Sequence, residues 1–355
     1  MKRIVLTGGG TAGHVTPNIA LLPKLRALGY DVHYIGSYNG IEKTLMEACN
    51  VPYYGISSGK LRRYFDLKNF SDPFKVLKGF SEAYQLLKKL KPDVVFSKGG
   101  FVSVPVVIAA GRLHIPVVIH ESDMTPGLAN KLSISSASKV CCNFPETMKH
   151  LPKGKAVLSG SPIREELLSG DRAKALKFTG LTGTKPVLLI IGGSLGSVVV
   201  NEAVRSILPK LLKKFEIIHL CGKGKLDQSL SAMNGYVQYE YISEELKDLF
   251  ALSDIVISRA GANSICEFLA LRKPALLIPL SAAASRGDQI LNAHSFEKQG
   301  YAAVLEEEQL NGDTLYDALS SLWENRESYV NAMAASPMGD SIETITGLLE
   351  DLVAH

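Results

Sequence analysis

KRIVLTGGGTAGH (residues 2–14) and KPVLLIIGGSLGS (residues 185–197) are apolar runs that each end in a glycine-rich turn. Each predicts a buried strand, then a tight loop, then the start of a helix, an arrangement that points backbone N–H groups at a phosphate. A single loop of this kind is a weak signal. Two of them, half a chain apart, predict two nucleotide-binding folds that face a shared cleft.

The strand-like runs around these loops are apolar along their whole length and alternate with helical patterns. This pattern is typical of parallel sheets covered by helices on both faces, so we expect an α/β fold with two doubly wound, Rossmann-like domains. Ligands of such sheets bind at the carboxyl ends of the strands. A stretch rich in Gly, Ser and Thr places the hinge near residue 162, giving domains of residues 1–162 and 163–338, before an amphipathic tail.

The composition is that of a soluble globular protein with room for two domains: 355 residues, 46% hydrophobic and 21% charged. The five cysteines show neither metal-ligand spacing nor a disulfide framework, which favours a reducing compartment. The chain enters its first strand directly, so no signal peptide is expected. The apolar runs are too short to span a bilayer.

Charge is unevenly distributed between the two halves. Residues 1–163 carry 21 Lys and Arg against 10 Asp and Glu, whereas residues 164–355 carry 18 against 25. The front half is therefore expected to meet an anionic partner.

The stretch at residues 57–80 interleaves basic and aromatic side chains, a composition that suits an anionic membrane surface. Nucleic-acid binding, or a helix with its aromatics in the core, are the alternatives. The residues predicted to contact the membrane are Arg62, Arg63, Phe65, Phe74, Lys75 and Lys78.

Gly8, Gly10 and Gly13 also satisfy the GxGxxG pattern of dinucleotide-binding dehydrogenases. Such a site needs an acidic residue at the end of the second strand to hold the ribose. Here that strand ends in IGSYNG, and Glu42 follows too late in the sequence. A nicotinamide oxidoreductase is therefore disfavoured.

The stretch RAGANSICEFLALRKPALLIP (residues 259–279) predicts a strand end, a turn of small residues, and a helix. We expect the helix to begin near Asn263 and Ser264, which places Glu267 in its first turn. A carboxylate there is favoured by the helix dipole in any protein and is also suited to a ribose diol.

GGGTAGHVTP, KPDVVFSKGGFVSVP, IPVVIHESDMTPGLANK, GSPIR, GGSLGS, RAGANSICE and RGDQILNA follow one another in a specific order. In these motifs the chain resembles, nearly end to end, glycosyltransferase family 28, the membrane-associated N-acetylglucosaminyltransferases of peptidoglycan synthesis. The resemblance implies a GT-B fold whose C-terminal helix, about residues 339–355, returns to the first domain. It also implies inverting transfer of N-acetylglucosamine from UDP-GlcNAc to lipid I, giving lipid II, at the cytoplasmic face of the membrane and without a cofactor.

By the same motifs, the resemblance implies a UDP-GlcNAc site made of Thr11, Ala12, Gly13, Asp123, Arg164, Ser194, Ile242, Ala262, Asn263, Ser264, Glu267 and Gln289. Arg164 and Ser194 would hold the diphosphate, and Ile242 would meet the uracil. Glu267 would take the ribose, and Gln289 would touch the sugar. The chain has HESD where the family often has HEQN, so Asp123 stands where an amide is usual.

The sequence contains no Asp-x-Asp motif of the kind that holds a metal in many sugar transferases. We therefore expect the leaving diphosphate to be stabilised by loop N–H groups, a helix dipole and Arg164, without a metal. The candidate bases are His14, whose ordinary pKa lies near neutrality, and Glu121, which would need burial to raise its pKa. The sequence favours His14 and leaves both open, with His120 as a structural residue. An epimerase or lipid glycosyltransferase of the same fold, or a non-catalytic sugar-nucleotide-binding protein, remain alternatives.

Overall fold

The computed structural model describes residues 2–59, 72–193, 196–283, 287–338 and 340–354. The chain divides into two compact units. Unit 1 comprises Met1–Arg164 and Met338–His355, and unit 2 comprises Glu165–Pro337. The sequence had placed the hinge near residue 162, and the division falls after Arg164.

Unit 1 is built on a seven-stranded sheet with the strand order β3-β2-β1-β4-β5-β6-β7, in which every pair is parallel. Its strands are β1 (Arg3–Thr7), β2 (Asp31–Ser37), β3 (Tyr53–Ile56), β4 (Val94–Ser97), β5 (Val117–Glu121), β6 (Lys139–Cys142) and β7 (Ala156–Leu158). The order reverses between β1 and β4, which is where doubly wound sheets bind their ligands.

The helices of unit 1 pack on both faces of this sheet. They are α1 (Thr16–Ala27), α2 (Ile41–Ala48), α3 (Asp72–Leu90), α4 (Ser103–Arg112) and α5 (Leu128–Ser133). Val5 of β1 belongs to a core that includes residues of α3 and α4, whereas its neighbours Ile4 and Leu6 belong to a second core with residues of α1 and α2. Both faces of the strand are buried, which explains why it is apolar along its length.

Unit 2 has a six-stranded parallel sheet with the order β10-β9-β8-β11-β12-β13. Its strands are β8 (Val187–Ile191), β9 (Glu216–Leu220), β10 (Tyr236–Tyr239), β11 (Ile255–Ser258), β12 (Ala275–Leu277) and β13 (Ala302–Val304). Its helices are α6 (Arg172–Thr179), α7 (Val198–Ser206), α8 (Leu208–Leu211), α9 (Leu246–Leu252), α10 (Ala262–Leu271), α11 (Asp288–Lys298), α12 (Gly312–Glu324) and α13 (Arg326–Ala334). The order reverses between β8 and β11. The prediction of two doubly wound α/β units is confirmed.

The amphipathic tail forms the last helix, α14 (Ser341–Ala354), and belongs to unit 1. Its apolar side chains Ile345 and Leu349 are fully buried in the core that α1 also lines. Lys24 of α1 pairs with Glu343 at 2.5 Å. The tail is thus an integral part of the unit that begins the chain.

The apolar runs of the sequence do not predict the short strands β3, β6, β7 and β13. The run VQYEYI (residues 237–242) predicts a strand to residue 242, whereas β10 ends at Tyr239. The five cysteines are all free thiols.

Candidate active site

The first glycine-rich loop follows β1 and is held by buried polar side chains of unit 1. The Tyr34 hydroxyl donates to the Gly8 carbonyl at 2.8 Å, and the Asn18 amide donates to the carbonyls of Thr7 and His14 at 3.3 and 3.4 Å. The turn after β4 packs closely on this loop, because a Cβ on Gly100, at φ +86°, would overlap the Gly9 carbonyl. The turns after β1 and β4, at the switch point of unit 1, are therefore in direct backbone contact.

Glu42 of α2 inserts its carboxylate into this loop. The side chain is fully buried and accepts hydrogen bonds from the backbone N–H groups of Ser37 at 3.0 Å and Gly10 at 3.3 Å, and from the Ser37 hydroxyl. A Cβ on Gly9 or Gly40 would collide with it. The Gly10 N–H, which could otherwise bind a phosphate, is thus already bonded to the Glu42 carboxylate.

The sequence predicts no acidic residue at the end of the second strand, and the structure shows that this prediction is wrong. α2 carries Glu42 back to Ser37, the last residue of β2. The carboxylate is bonded to the protein itself and is closed to solvent, so it stabilises the loop and is not available to a ribose diol. The structure therefore also disfavours a dinucleotide-binding dehydrogenase. The reason is that Glu42 is already bonded within the protein, not that an acidic residue is lacking.

His14 ends a short 3₁₀ turn, Ala12–His14, that follows the loop. Its Nδ1 lies 3.1 Å from the carbonyl oxygen of Lys98, the first residue after β4. Burial and the Lys98 charge lower the pKa of His14 below its ordinary value, against the opposing effects of the bond to the Lys98 carbonyl and of the Asp123 and Glu42 carboxylates. The ring is therefore neutral at pH 7, as a general base must be.

Glu121, the other candidate base, is buried at the end of β5. Its carboxylate accepts bonds from the N–H groups of Asp123 at 3.0 Å and Gly127 at 2.9 Å, and from the Asn130 amide at 2.8 Å. Burial raises its pKa, and these hydrogen bonds lower it. Both oxygens are used in shaping the turn after β5, so the geometry favours His14 as the base.

The second glycine-rich loop, after β8, leads into α7 in unit 2. Gly196 has φ +67°, and a Cβ there would overlap the Cys221 carbonyl, so only glycine fits. Ser197 caps α7 through a bond from the Val200 N–H to its hydroxyl. Ser194, which the resemblance assigns to the diphosphate, lies outside the described residues.

Arg259, the first residue after β11, fixes this loop from the neighbouring strand. It donates to the Ser197 hydroxyl at 2.7 Å and to the carbonyls of Ile278 and Pro279 at 3.1 and 3.2 Å, and it pairs with Glu307. Its side chain is one-tenth exposed. Arg259 belongs to the RAGANS motif, but the sequence does not indicate a role for this residue.

α10 begins at Ala262, with Gly261 as its N-cap, at the carboxyl end of β11. Glu267 therefore lies in the second turn of the helix, and its prediction in the first turn was wrong because the helix starts earlier than expected. Ala262 is buried, whereas Asn263, Ser264 and Glu267 are half-buried. The structure thus gathers these predicted site residues at the switch point of unit 2.

Gln289 lies in the first turn of α11, and its amide oxygen accepts a bond from the Leu280 N–H at 3.1 Å. Ile242 is half-buried in the loop after β10, and Arg164 is the last residue of the first segment of unit 1. The residues Thr11, Ala12, Gly13 and Asp123 are exposed or half-buried in the turns after β1 and β5.

The segment predicted to meet a membrane is only partly described. Outside the described residues lie Arg62, Arg63, Phe65 and the side chain of Phe74. Lys75 and Lys78 are exposed on α3, and Leu77 between them is 66% exposed. Phe80 packs against the core of unit 1, as the core alternative expected for part of the aromatics. Among the described helices, none combines the length and the apolar character that a bilayer span requires.

Metal-binding side chains are not grouped in the part of the chain that the structure describes. There, no three or more His, Cys, Asp or Glu side chains are placed to hold a metal ion.

Two family models match the chain: the glycosyltransferase family 28 N-terminal domain over residues 4–142, and the C-terminal domain over residues 187–345. A relative from Lachnospira eligens is 66% identical over 99% of both chains, and one from Clostridium perfringens is 60% identical over 98% of both. Both carry the name UDP-N-acetylglucosamine--N-acetylmuramyl-(pentapeptide) pyrophosphoryl-undecaprenol N-acetylglucosamine transferase.

Solved structures show the same architecture. The crystal structure of Acinetobacter baumannii MurG superimposes with a TM-score of 0.78 at 27% identity, covering 99% of this chain and 100% of that chain. The UDP-GlcNAc 2-epimerase from Neisseria meningitidis bound to UDP-GlcNAc gives a TM-score of 0.66 at 15% identity, covering 99% of this chain and 100% of that one. The second likeness is one of fold alone.

Proposed function

The chain belongs to glycosyltransferase family 28, and we propose that it transfers N-acetylglucosamine from UDP-GlcNAc to the C4 hydroxyl of MurNAc in undecaprenyl-diphospho-MurNAc-pentapeptide. The observation that carries the proposal is the 66% identity over 99% of both chains with a relative named for this transfer. The family predicted from the motifs is thereby confirmed. The product is lipid II, the disaccharide-bearing precursor of peptidoglycan.

Unit 2 supplies the donor site. Its glycine-rich loop and the N-terminus of α7 offer backbone N–H groups, and Lys225 lies close enough to donate to the Gly196 carbonyl at 3.2 Å. In this proposal Ser194 and Arg164 bind the diphosphate, Ile242 meets the uracil, and Glu267 accepts from the ribose diol. The Lys225 side chain beside the loop supports this assignment, because a cation there stabilises the negative charge that develops on the leaving UDP.

Unit 1 supplies the base. His14 takes the proton of the C4 hydroxyl as that oxygen attacks C1 of N-acetylglucosamine, and the bond from C1 to the diphosphate oxygen breaks with its electron pair leaving on UDP. One in-line displacement inverts the configuration at C1. A neutral imidazole with one nitrogen bonded to a backbone carbonyl, as His14 shows, fits this role.

The test is UDP release from UDP-GlcNAc with a soluble lipid I analogue. We expect release only when the acceptor is present, with disaccharide formed in equal amount, and turnover that survives EDTA. An epimerase would change the sugar nucleotide without an acceptor, and a non-catalytic binding protein would release nothing. Loss of turnover in EDTA with recovery in Mg²⁺ would overturn the metal-independent part alone.

We also propose that the enzyme docks peripherally on the cytoplasmic face of the membrane through residues 60–80. The exposed Lys75, Leu77 and Lys78 on α3 support this, since cations beside an apolar side chain suit an anionic bilayer. Each such cation near the surface contributes about 1 kcal/mol. Replacing Arg62, Arg63, Lys75 and Lys78 by Ser should weaken binding to anionic liposomes and spare activity on a soluble acceptor. Undiminished liposome binding at low salt would contradict it.

A further inference from the structure

The carbonyl of Lys98 determines which ring nitrogen of His14 carries the proton. The carbonyl oxygen lies 3.1 Å from Nδ1 and can only accept a hydrogen bond. Nδ1 is therefore protonated, and in the neutral ring Nε2 is the nitrogen with a free lone pair. Nε2 is thus the atom of His14 that can take up a proton.

The side chain of Lys98 is buried in unit 1. It is 1% exposed, and its Nζ donates to Nδ1 of His120 at 2.8 Å and to the Ser122 hydroxyl. His120 is itself fully buried, and its Nε2–H donates to the Gly160 carbonyl at 2.8 Å. Burial and the neighbouring Lys98 hold the pKa of His120 well below its ordinary value. A neutral imidazole and a hydroxyl therefore fix the position of a buried lysine ammonium.

Three charged groups, each from a different element, act on His14. Lys98 follows β4, Asp123 follows β5, and Glu42 lies on α2. After burial, the Lys98 cation is the largest influence that lowers the pKa of His14. The two carboxylates and the bond to the Lys98 carbonyl act in the opposite direction. Without the cation, burial alone would oppose the two carboxylates and the carbonyl bond, so the pKa of His14 would be higher.

We propose that Lys98 is a positioning residue for the reaction: its backbone carbonyl fixes the tautomer of His14, and its buried ammonium adds to burial in opposing protonation of that imidazole. The inference rests on the proposed function, because a neutral Nε2 matters only where His14 is the base. Lys98 acts through His14 and contacts neither substrate.

The direct test follows the titration of His14 by NMR, with the protein labelled in its histidine rings and the His14 signal identified by its loss in His14→Gln. We expect Lys98→Met to raise the pKa of His14, because burial persists while the cation is lost. Lys98→Gln, which keeps an N–H donor for His120, should do the same and covers the case in which Lys98→Met fails to fold. In the wild type the ¹⁵N shifts should show a protonated Nδ1.

The matched control is Lys273→Met, which removes a partly buried lysine that donates to the Ser253 carbonyl at 2.6 Å in unit 2. It should leave the titration of His14 unchanged. An unchanged pKa in both folded Lys98 variants, or an equal change in Lys273→Met, would overturn the inference.

The pH dependence of kcat/KM gives a second readout. Activity requires the neutral ring, so it rises with pH through the pKa of His14, and this acidic limb should move to higher pH in Lys98→Gln. Lys98→Arg should move it back, whereas a loss of activity that is equal at all pH values would indicate a purely structural role. The NMR titration needs neither acceptor nor turnover. Failure of the proposed function would therefore show as absent transfer by a protein whose His14 still responds to Lys98.

Discussion

The two glycine-rich loops differ in the charge of the side chains that are hydrogen-bonded to them. In unit 1 the Gly10 N–H donates to the buried carboxylate of Glu42. In unit 2 the Ser197 hydroxyl accepts from Arg259, and the Gly196 carbonyl accepts from Lys225. The side chain bonded to the first loop is thus a carboxylate, whereas those bonded to the second are Lys225 and Arg259, which is itself paired with Glu307. A glycine pattern thus specifies the turn, whereas the neighbouring side chains decide whether the turn suits a phosphate.

The charges of the side chains bonded to the two loops are opposite in sign to the net charges of the two halves of the chain. The first half of the chain is the basic one, with 21 Lys and Arg against 10 Asp and Glu in residues 1–163. Surface charges farther away than about 8–10 Å are screened at physiological salt, whereas groups within hydrogen-bonding distance are not. The donor diphosphate should therefore follow the local cations of unit 2 rather than the net charge of unit 1.

The largest effect is expected from Arg259→Met. It would leave the Glu307 carboxylate and the carbonyls of Ile278 and Pro279 without their buried cation. Breaking such a pair costs about 3–5 kcal/mol, to be measured as the free energy of unfolding in urea. UDP affinity should fall as well, because Ser197 loses its anchor.

Lys24→Met is the control for Arg259. It removes one partner of the more exposed Lys24–Glu343 pair of unit 1 and should cost less than about 1 kcal/mol. Equal losses in the two variants would mean that Arg259 contributes no more to stability than an exposed ion pair does and that the second loop is not held by it.

Glu267→Ala should weaken UDP binding by about 2–4 kcal/mol, because two hydrogen bonds from a ribose diol to a carboxylate are lost. Calorimetric titration with UDP measures this. Glu202→Ala, at an exposed position of α7, is the control and should bind UDP as the wild type does. If both variants kept full UDP affinity, the donor site would have to be sought away from α10.

Glu42→Gln tests the first loop. The amide keeps one acceptor oxygen but loses the charge and one acceptor, so the free energy of unfolding should fall by about 1–3 kcal/mol while UDP affinity stays the same. Glu47→Gln, exposed on the same helix, should change neither. A gain in UDP affinity in Glu42→Gln would show that the carboxylate had been excluding a phosphate. The charge of Glu42 alone would then explain why the first loop does not bind phosphate as the second does.

The sequence predicts the strands and turns that form the site but not the charged side chains that hold them. Apolar runs followed by glycines located both switch points, because buried parallel strands and left-handed turns leave few other residues possible. Spacing in the sequence argues against Glu42 at the end of the second strand, because only the turn into α2 brings it back to the loop. The KGGF motif indicates no role for Lys98, since lysines are almost never fully buried unless paired and nothing in the sequence shows that this one is. Arg259 was missed because its role depends on a partner sixty-two positions away.

The smallest effect is expected from Lys225→Met. Lys225 is half-buried and donates to the Gly196 carbonyl at 3.2 Å, so its charge lies beside the second loop without being enclosed by it. A partly solvated cation of this kind contributes about 0.2–1 kcal/mol, and its contribution is screened by salt. Calorimetry at low salt should therefore show a slightly weaker affinity for UDP, and the deficit should vanish at high salt. Lys223→Met, at an exposed position in the same turn, is the control, because its charge extends into solvent. A deficit that persisted at high salt would mean that Lys225 acts by shaping the loop through Gly196 and not by its charge, and the contrast between the loops would then rest on Arg259 alone.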